Sequence, residues 1–353
     1  MSIEFKTVRG LLAAALLAFG GGLAAQGDDA ADAGAEDLEA GATELTDAMA
    51  EAEAGGEPAA AAVRPLPSEI KPLTSRSLLL DVVTTGKRLF AVGDRGAILA
   101  SADGKEWAQV QVPVRAPLTA VSFADADNGW AVGHDAAILH TVDGGRTWAL
   151  QNFEPELERP FLSVLALDAQ RAIAVGAYAL MYQTSDGGET WNEVSASIRD
   201  DELHFNSIVR LANGDLMIAG EQATLAISQD QGASWTKLES PYEGSLFGAV
   251  ALGEKGAAIF GLRGNAFIAT DARAGNWVEI KTDTVASMFG GTALPDGGLA
   301  MVGLNGNIIV VNASGANARL LKAPAGTPLS AAVPFGGGLL AVGESGVQHI
   351  ALQ

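Results

Sequence analysis

Ala131-Val132-Gly133-His134-Asp135-Ala136-Ala137-Ile138-Leu139-His140-Thr141-Val142-Asp143-Gly144-Gly145-Arg146-Thr147-Trp148 is the stretch on which the fold turns. Trp130 to Gly133 reads as a short strand, His134-Asp135-Ala136 as a tight turn, and Ala137 to Thr141 as a second strand. Asp143-Gly144-Gly145 is a further turn, and Thr147 to Gln151 the strand beyond it. Upstream, Leu118 to Phe123 is apolar and β-prone, and an Asp/Asn turn from Ala124 to Asn128 joins it to the rest. Short strands bounded by Gly, Asp and Asn are hairpin signals, so the unit is a four-stranded antiparallel meander.

The unit recurs. Ala91-Val92-Gly93 returns as Ala131-Val132-Gly133, Ala174-Val175-Gly176, Ile218-Ala219-Gly220, Ile259-Phe260-Gly261, Met301-Val302-Gly303 and Ala341-Val342-Gly343, at spacings of 40, 43, 44, 41, 42 and 40 residues. Seven copies of four short strands, with a period near 42, predict an all-β, seven-bladed propeller. The first strand of each copy is the least polar, as suits an inner strand crowded around a central axis. The last copy stops after its third strand, at Ala351-Leu352-Gln353. Leu66 to Thr74, ahead of the first inner strand, is the segment expected to supply the missing strand and close the ring. Pro67 and Pro72 lack a donor and fit an outer edge.

A second motif sits between strands three and four. Thr141-x-Asp143-x-Gly145-x-Thr147-Trp148 recurs at Thr184 to Trp191, around Asp186, and at Ser228 to Trp235, around Asp230. The first copy, Ser101 to Trp107 around Asp103, is one residue short. Copy five keeps Asp271, Gly275 and Trp277, and copy six keeps Gly315. This is the Asp-box, or bacterial neuraminidase repeat. Its Asp carboxylate is suited to accept backbone N–H groups within the turn, and its Trp to pack between sheets. Recurrence in blade after blade makes Asp103, Asp143, Asp186 and Asp230, with Trp107, Trp148, Trp191 and Trp235, a structural set rather than metal or substrate ligands.

The N-terminus has the form of a secretory signal over residues 1–25. Lys6 and Arg9 form a positive n-region, Leu11 to Leu23 an apolar stretch too short to span a bilayer, and Ala24-Ala25 a cleavage site. Residues 26–63 hold 11 acidic and no basic residues between Asp28 and Glu57, and read as a disordered acidic linker. Of the formal net charge of −20, these two segments carry +1 and −11, leaving the repeats at −10. Such an acidic balance argues against nucleic acid or anionic lipid as the main partner. The chain has no Cys, which excludes disulfides, thiolate zinc sites, a Cys nucleophile and a lipoprotein anchor. The expectation is a periplasmic protein with no membrane span once the signal is removed.

Ala131 to Trp148 and Ala174 to Trp191 together resemble the photosystem II stability and assembly factor family, seven-bladed propellers of the lumen or periplasm. The resemblance covers roughly Leu66 to Gln353. It implies a non-enzymatic protein that helps assemble a membrane complex. It also implies relatives in bacteria without a photosystem, where a periplasmic propeller would serve a transporter of the resistance-nodulation-division type.

Sialidases, which also carry Asp-boxes, are the enzyme alternative. Their chemistry needs an arginine triad, a Tyr–Glu pair and an Asp acid. Here Val63-Arg64-Pro65 lacks the Ile of the usual opening motif, and the Tyr residues 178, 182 and 242 sit in no matching Glu-Arg pattern. The four His residues are scattered, and neither a nucleophile elbow nor a phosphate loop occurs. No catalytic residue, metal or cofactor is expected. What remains is a binding face. Turns between strands two and three share one face of the disc with the links between blades. Arg95, Arg115, Arg159, Tyr178, Arg199 and Tyr242 lie on it as candidate contacts for a membrane protein complex or transporter.

Overall fold

In the computed structural model, residues 63–315 and 317–352 are described. The predicted signal and most of the acidic linker lie outside them. Seven antiparallel sheets follow one another along the chain, six of four strands and the last of three, each in sequential order. The seven-bladed propeller read from the repeats is the fold observed. The helical elements among the described residues are three-residue 3-10 turns.

The inner strands are Leu79–Thr84, Leu118–Phe123, Phe161–Ala166, Phe205–Arg210, Leu246–Leu252, Met288–Ala293 and Leu329–Phe335. Every one bulges at its second residue: Leu79 pairs with Gly93, and Asp81 then pairs with Val92. The same skip occurs at Thr119, Leu162, Asn206, Phe247, Phe289 and Ser330.

The glycine of each Ala-Val-Gly copy stands opposite the bulge, and its place is set by contact. A Cβ on Gly93, Gly133, Gly176, Gly220, Gly261, Gly303 or Gly343 would lie 2.0–2.3 Å from the carbonyl oxygen of the residue that leads into its own inner strand. The same oxygen accepts the N–H of the residue after the glycine. Asp94, His134, Ala177, Glu221, Leu262, Leu304 and Glu344 donate to Leu78, Pro117, Pro160, His204, Ser245, Ser287 and Pro328 at 2.9–3.1 Å. The glycine is thus required by close approach, since its backbone is extended (φ −179° at Gly93, −165° at Gly176, −177° at Gly261 and −170° at Gly303). One carbonyl per blade ties the interblade link to the turn between strands two and three.

Apolar side chains fill each space between blades. Phe90, Val92 and Ile98 of the first blade pack with Leu118, Val121 and Trp148 of the second. Ile173 and Met181 pack with Phe205, Ile218 and Trp235 across the third and fourth. Leu79 and Leu99 meet Val333, Leu340 and Val342 where the seventh blade meets the first. The ring therefore closes through side-chain packing.

Each Asp-box turn is held by its own side chains. Asp186 accepts the N–H and hydroxyl of Thr190 at 3.0 and 2.6 Å and the Thr184 hydroxyl at 2.8 Å. The Thr184 hydroxyl also accepts the Gly188 N–H at 2.9 Å. These bonds, those from Thr190 foremost, hold the Asp186 carboxyl down to about 2. Asp230 is held likewise, and Asp143 too, against a burial that pushes it up, both at about 2. The turns also press on the preceding blade. A Cβ at Gly145 would meet Phe90 at 2.3 Å, one at Gly104 Phe335 at 2.7 Å, and one at Gly188 Gln151 at 1.9 Å. Gln151 is a hub there, accepting from Trp130 and Trp191 and donating to the Gly187 carbonyl. In the eroded copies, Asp271 caps a 3-10 turn, and Asn312 accepts from Asn317 N–H at 3.2 Å.

The expected closing strand differs. Leu66 to Thr74 forms no ladder with Gly346–Ile350, and the seventh sheet keeps three strands. The segment bonds to the first blade instead. Ser68 N–H donates to the Val112 carbonyl (2.8 Å), Val112 N–H to the Ser68 hydroxyl (2.9 Å), and Gln109 bridges the Glu69 carbonyl and Lys71 N–H (both 2.9 Å). With the donors of Ser68 and Lys71 taken, and Pro67 and Pro72 offering none, too few remain for pairing with the seventh blade.

Two expectations follow. Gly176→Ala should cost about 1–3 kcal/mol in chemical denaturation, as an overpacked contact does. Gly86→Asn should cost less, because nothing lies within 4 Å of a Cβ there and Asn tolerates the φ of +79°. The pH dependence has two parts. Asp143, Asp186 and Asp230 titrate at about 2 when folded and near 3.9 when unfolded, so their stabilisation is present above pH ~4 and is lost as pH falls toward 2. Asp81 runs oppositely: burial pushes it up to about 7, against the N–H groups of Val121 and Val82 that favour its charge. Wild-type stability should therefore fall as pH rises from 4 to 7, and Asp81→Asn should remove that slope. Denaturation midpoints at pH 5 and pH 8 check it.

Candidate partner-binding face

In blades one to six the apex of the turn between strands two and three is built on left-handed backbone. Arg95 and Gly96 have φ of 54° and 68°, Arg263 and Gly264 58° and 73°, and Asn305 and Gly306 57° and 65°. Blades two to four place Ala second: Asp135 and Ala136, Tyr178 and Ala179, and Gln222 and Ala223 all have positive φ. Two consecutive positive φ angles make the two-residue hairpin that matches strand twist. Holding a non-Gly residue there costs about 1–2 kcal/mol. The neighbouring link offsets it: Ala179 N–H donates to the Leu203 carbonyl (2.9 Å) and Ala223 N–H to the Gly244 carbonyl (3.1 Å). Side chains at the apices are therefore carried on stiff, anchored hairpins.

The six predicted contacts divide on this scaffold. Arg95 stands out most, with 71% of its side chain exposed and Asp94 at 3.5 Å. Tyr178 is half exposed, with the Arg159 guanidinium 5.7 Å from its ring centre and the His204 ring edge-on at 4.7 Å. The Tyr178 N–H donates to His204 Nδ1 at 3.1 Å, and the Glu221 carboxylate lies 3.4 Å from the same nitrogen. Arg159, Tyr178 and His204 thus form one cluster across the third and fourth blades.

Arg115, Arg199 and Tyr242 are engaged within the chain. Arg115 pairs with Glu69 at 2.9 Å and donates to the Pro67 carbonyl, pinning the segment that precedes the first blade. Arg199 donates to the Ala179 carbonyl at 2.8 Å, to the Val194 carbonyl and to Glu193. It buttresses the Tyr178 turn. Tyr242 stacks on Phe267 with ring centres 6.3 Å apart and packs into the core between blades four and five. Spacing shows that these residues lie on the face, but not that their polar ends are already used. Lys281 and Val285 were not singled out from sequence, and Arg263, on one of the face turns, was not among the six candidates. Arg263 occupies the same apex position as Arg95 and Tyr178, and that alignment was the available signal.

One Tyr–Glu pair does form: Tyr182 donates to Glu154 at 3.4 Å. Burial, then the charge of Glu154, raises the phenol's pKa. The neighbouring guanidinium, Arg199, is spent on the bonds above rather than offered to a substrate carboxylate. The face as a whole presents fixed donors and aromatic tips, a surface suited to docking.

Comparison with known proteins agrees with the fold. The family described as Photosynthesis system II assembly factor YCF48 matches residues 99–164 and 151–319. The chain is similar to the chloroplastic photosystem II stability/assembly factor HCF136 of Cyanidioschyzon merolae, at 35% identity over 92 residues, 24% of this chain and 21% of that protein. It is similar to the photosystem II assembly protein Ycf48 of Thermosynechococcus vestitus, at 41% over 46 residues, 13% of each chain. The matched stretches thus span about a fifth or less of these curated relatives. Among solved structures, YCF48 bound to D1 peptide superposes with a TM-score of 0.64 at 16% identity, covering 82% of this chain and 100% of that one. YCF48 from Cyanidioschyzon merolae gives 0.62 at 19% identity, covering 78% and 95%. The two family matches together run from residue 99 to 319, well over half of the 353 residues, and the chain belongs to the YCF48 family of photosynthesis system II assembly factors.

Proposed function

We propose that this protein is an exported, non-catalytic propeller that assists the assembly or stability of a membrane protein complex, working in the periplasm and docking its client on the loop face. The observation that carries the reading is the pair of exposed side chains Arg95 and Tyr178 at turn apices, with Arg159 of the neighbouring link 5.7 Å from the Tyr178 ring centre. Such side chains are good contact residues because little conformational entropy is lost when a partner meets them. Family membership supports an assembly role, and the relative solved with a D1 peptide bound is a propeller of the same architecture. Arginine offers a fixed fork of donors to an acidic or carbonyl-rich patch, and Tyr a rigid apolar body with a polar tip. On a chain this acidic, they favour one local patch over any extended anionic surface.

Affinity capture from detergent-solubilised membranes tests the proposal. The expected catch is a membrane complex: photosystem subunits, or a transporter of the resistance-nodulation-division type in a host without them. Recovery of soluble sugars alone, or cleavage of a sialoside reporter, would overturn it. Arg95→Ala, Arg159→Ala and Tyr178→Ala should each weaken capture by more than ~1 kcal/mol, about fivefold, if they act as interface anchors. Arg146→Ala, on the Asp-box face, should leave capture unchanged. Arg199→Ala should instead lower the melting temperature, since its guanidinium serves the Tyr178 turn.

A further inference from the structure

A groove of about 630 Å³ opens on the loop face of the fifth blade, between the Arg263–Asn265 turn and the Glu279–Val285 link. Its walls are fixed. The Thr282 hydroxyl, on a buried residue, donates to the Gly264 carbonyl at 2.8 Å, and Arg263 N–H donates to the Ser287 hydroxyl at 3.2 Å. A Cβ on Gly264 would lie 2.2 Å from the Thr284 carbonyl, so turn and link are in contact. Ile280 is buried at the base, while Val285 is 86% exposed, more than any other large apolar side chain among the described residues. Arg263, Lys281, Glu279 and Asp283 all line the groove, and none of them forms an ion pair among the described residues.

We propose that this groove binds an extended peptide segment carrying one carboxylate beside an aliphatic side chain. The inference rests on the partner-docking reading and gives it a position and a chemistry. Two cations and two carboxylates leave the lining formally neutral, so a polyphosphate or other polyanion finds no excess positive charge. A single carboxylate does better: it accepts the forked donors of Arg263 with Lys281 beside it, and its aliphatic neighbour covers Val285. Asp283 and Glu279 then select against a second acidic group. Because the two cations are unpaired, binding need not break an existing ion pair.

The test is fluorescence anisotropy of the full chain with a labelled hexapeptide of Leu-Glu-Leu core, against the same peptide with Leu-Gln-Leu or Ser-Glu-Ser at its core. Both controls should bind about three- to fivefold more weakly, the scale of one exposed ion pair or one aliphatic contact. Arg263→Gln and Lys281→Gln should each weaken the Leu-Glu-Leu peptide by a similar factor. Asp283→Asn should tighten it, a gain that loss of fold does not produce, and Arg146→Gln should change nothing. Equal binding of the Glu and Gln peptides, no binding at millimolar peptide, or indifference to Arg263→Gln would overturn the proposal. If any of these occurs while wild-type protein still captures its membrane partner, the groove assignment is wrong and the loop-face reading stands.

Discussion

One backbone carbonyl per blade sets the geometry of this propeller. It belongs to the residue entering the inner strand, and it accepts the N–H that follows the Ala-Val-Gly glycine. The glycine passes so close that no side chain fits. The contact needs the bulge at the second position of each inner strand, which lets the strand's start swing toward the turn. Because the same oxygen terminates the link from the preceding blade, blade spacing and turn position are fixed together. The loop face inherits its order from that joint: the apex of every turn stands at a set height above the same anchored oxygen.

The opposite face is organised by a different constraint. Each Asp-box turn is clasped by its own carboxylate and pressed against the blade before it, with Gly104 meeting the seventh blade as Gly145 meets the first. The tryptophans Trp148 and Trp235 fill the spaces between blades behind these turns. His349 reaches the Gly104 carbonyl at 2.9 Å, tying the last described strand to the first box. A ring closed by such contacts does not depend on a shared strand, which explains how Leu66 to Thr74 is free to bond to the first blade.

Much of this was legible in the residues. The period of Ala-Val-Gly gave blade number, and Thr141 to Trp148 gave the clasped turn, because both depend on local contacts that demand particular residue types. The reason for the glycine was not legible, since it involves a carbonyl some 16 residues upstream. Nor was the course of Leu66 to Thr74, which is decided by the side chain of Gln109 and the backbone of Val112, which no repeat singles out. On the loop face, sequence put forward Arg95, Arg159 and Tyr178 among six candidates. It could not separate them from Arg115, Arg199 and Tyr242, whose polar ends meet partners distant in sequence or carbonyls that carry no sequence signal. Arg263 was left out of the six for the converse reason: the groove it lines is formed by a link of ordinary composition.

The account stands or falls on the loop face being the docking face. Photo-cross-linking tests this most directly. A benzophenone-bearing residue is placed at position 178 in one variant and at position 146 in another, each folded protein is added to membranes, and the cross-linked products are identified. The account predicts a membrane-protein adduct from position 178 and none from position 146. An adduct from position 146 alone would contradict it.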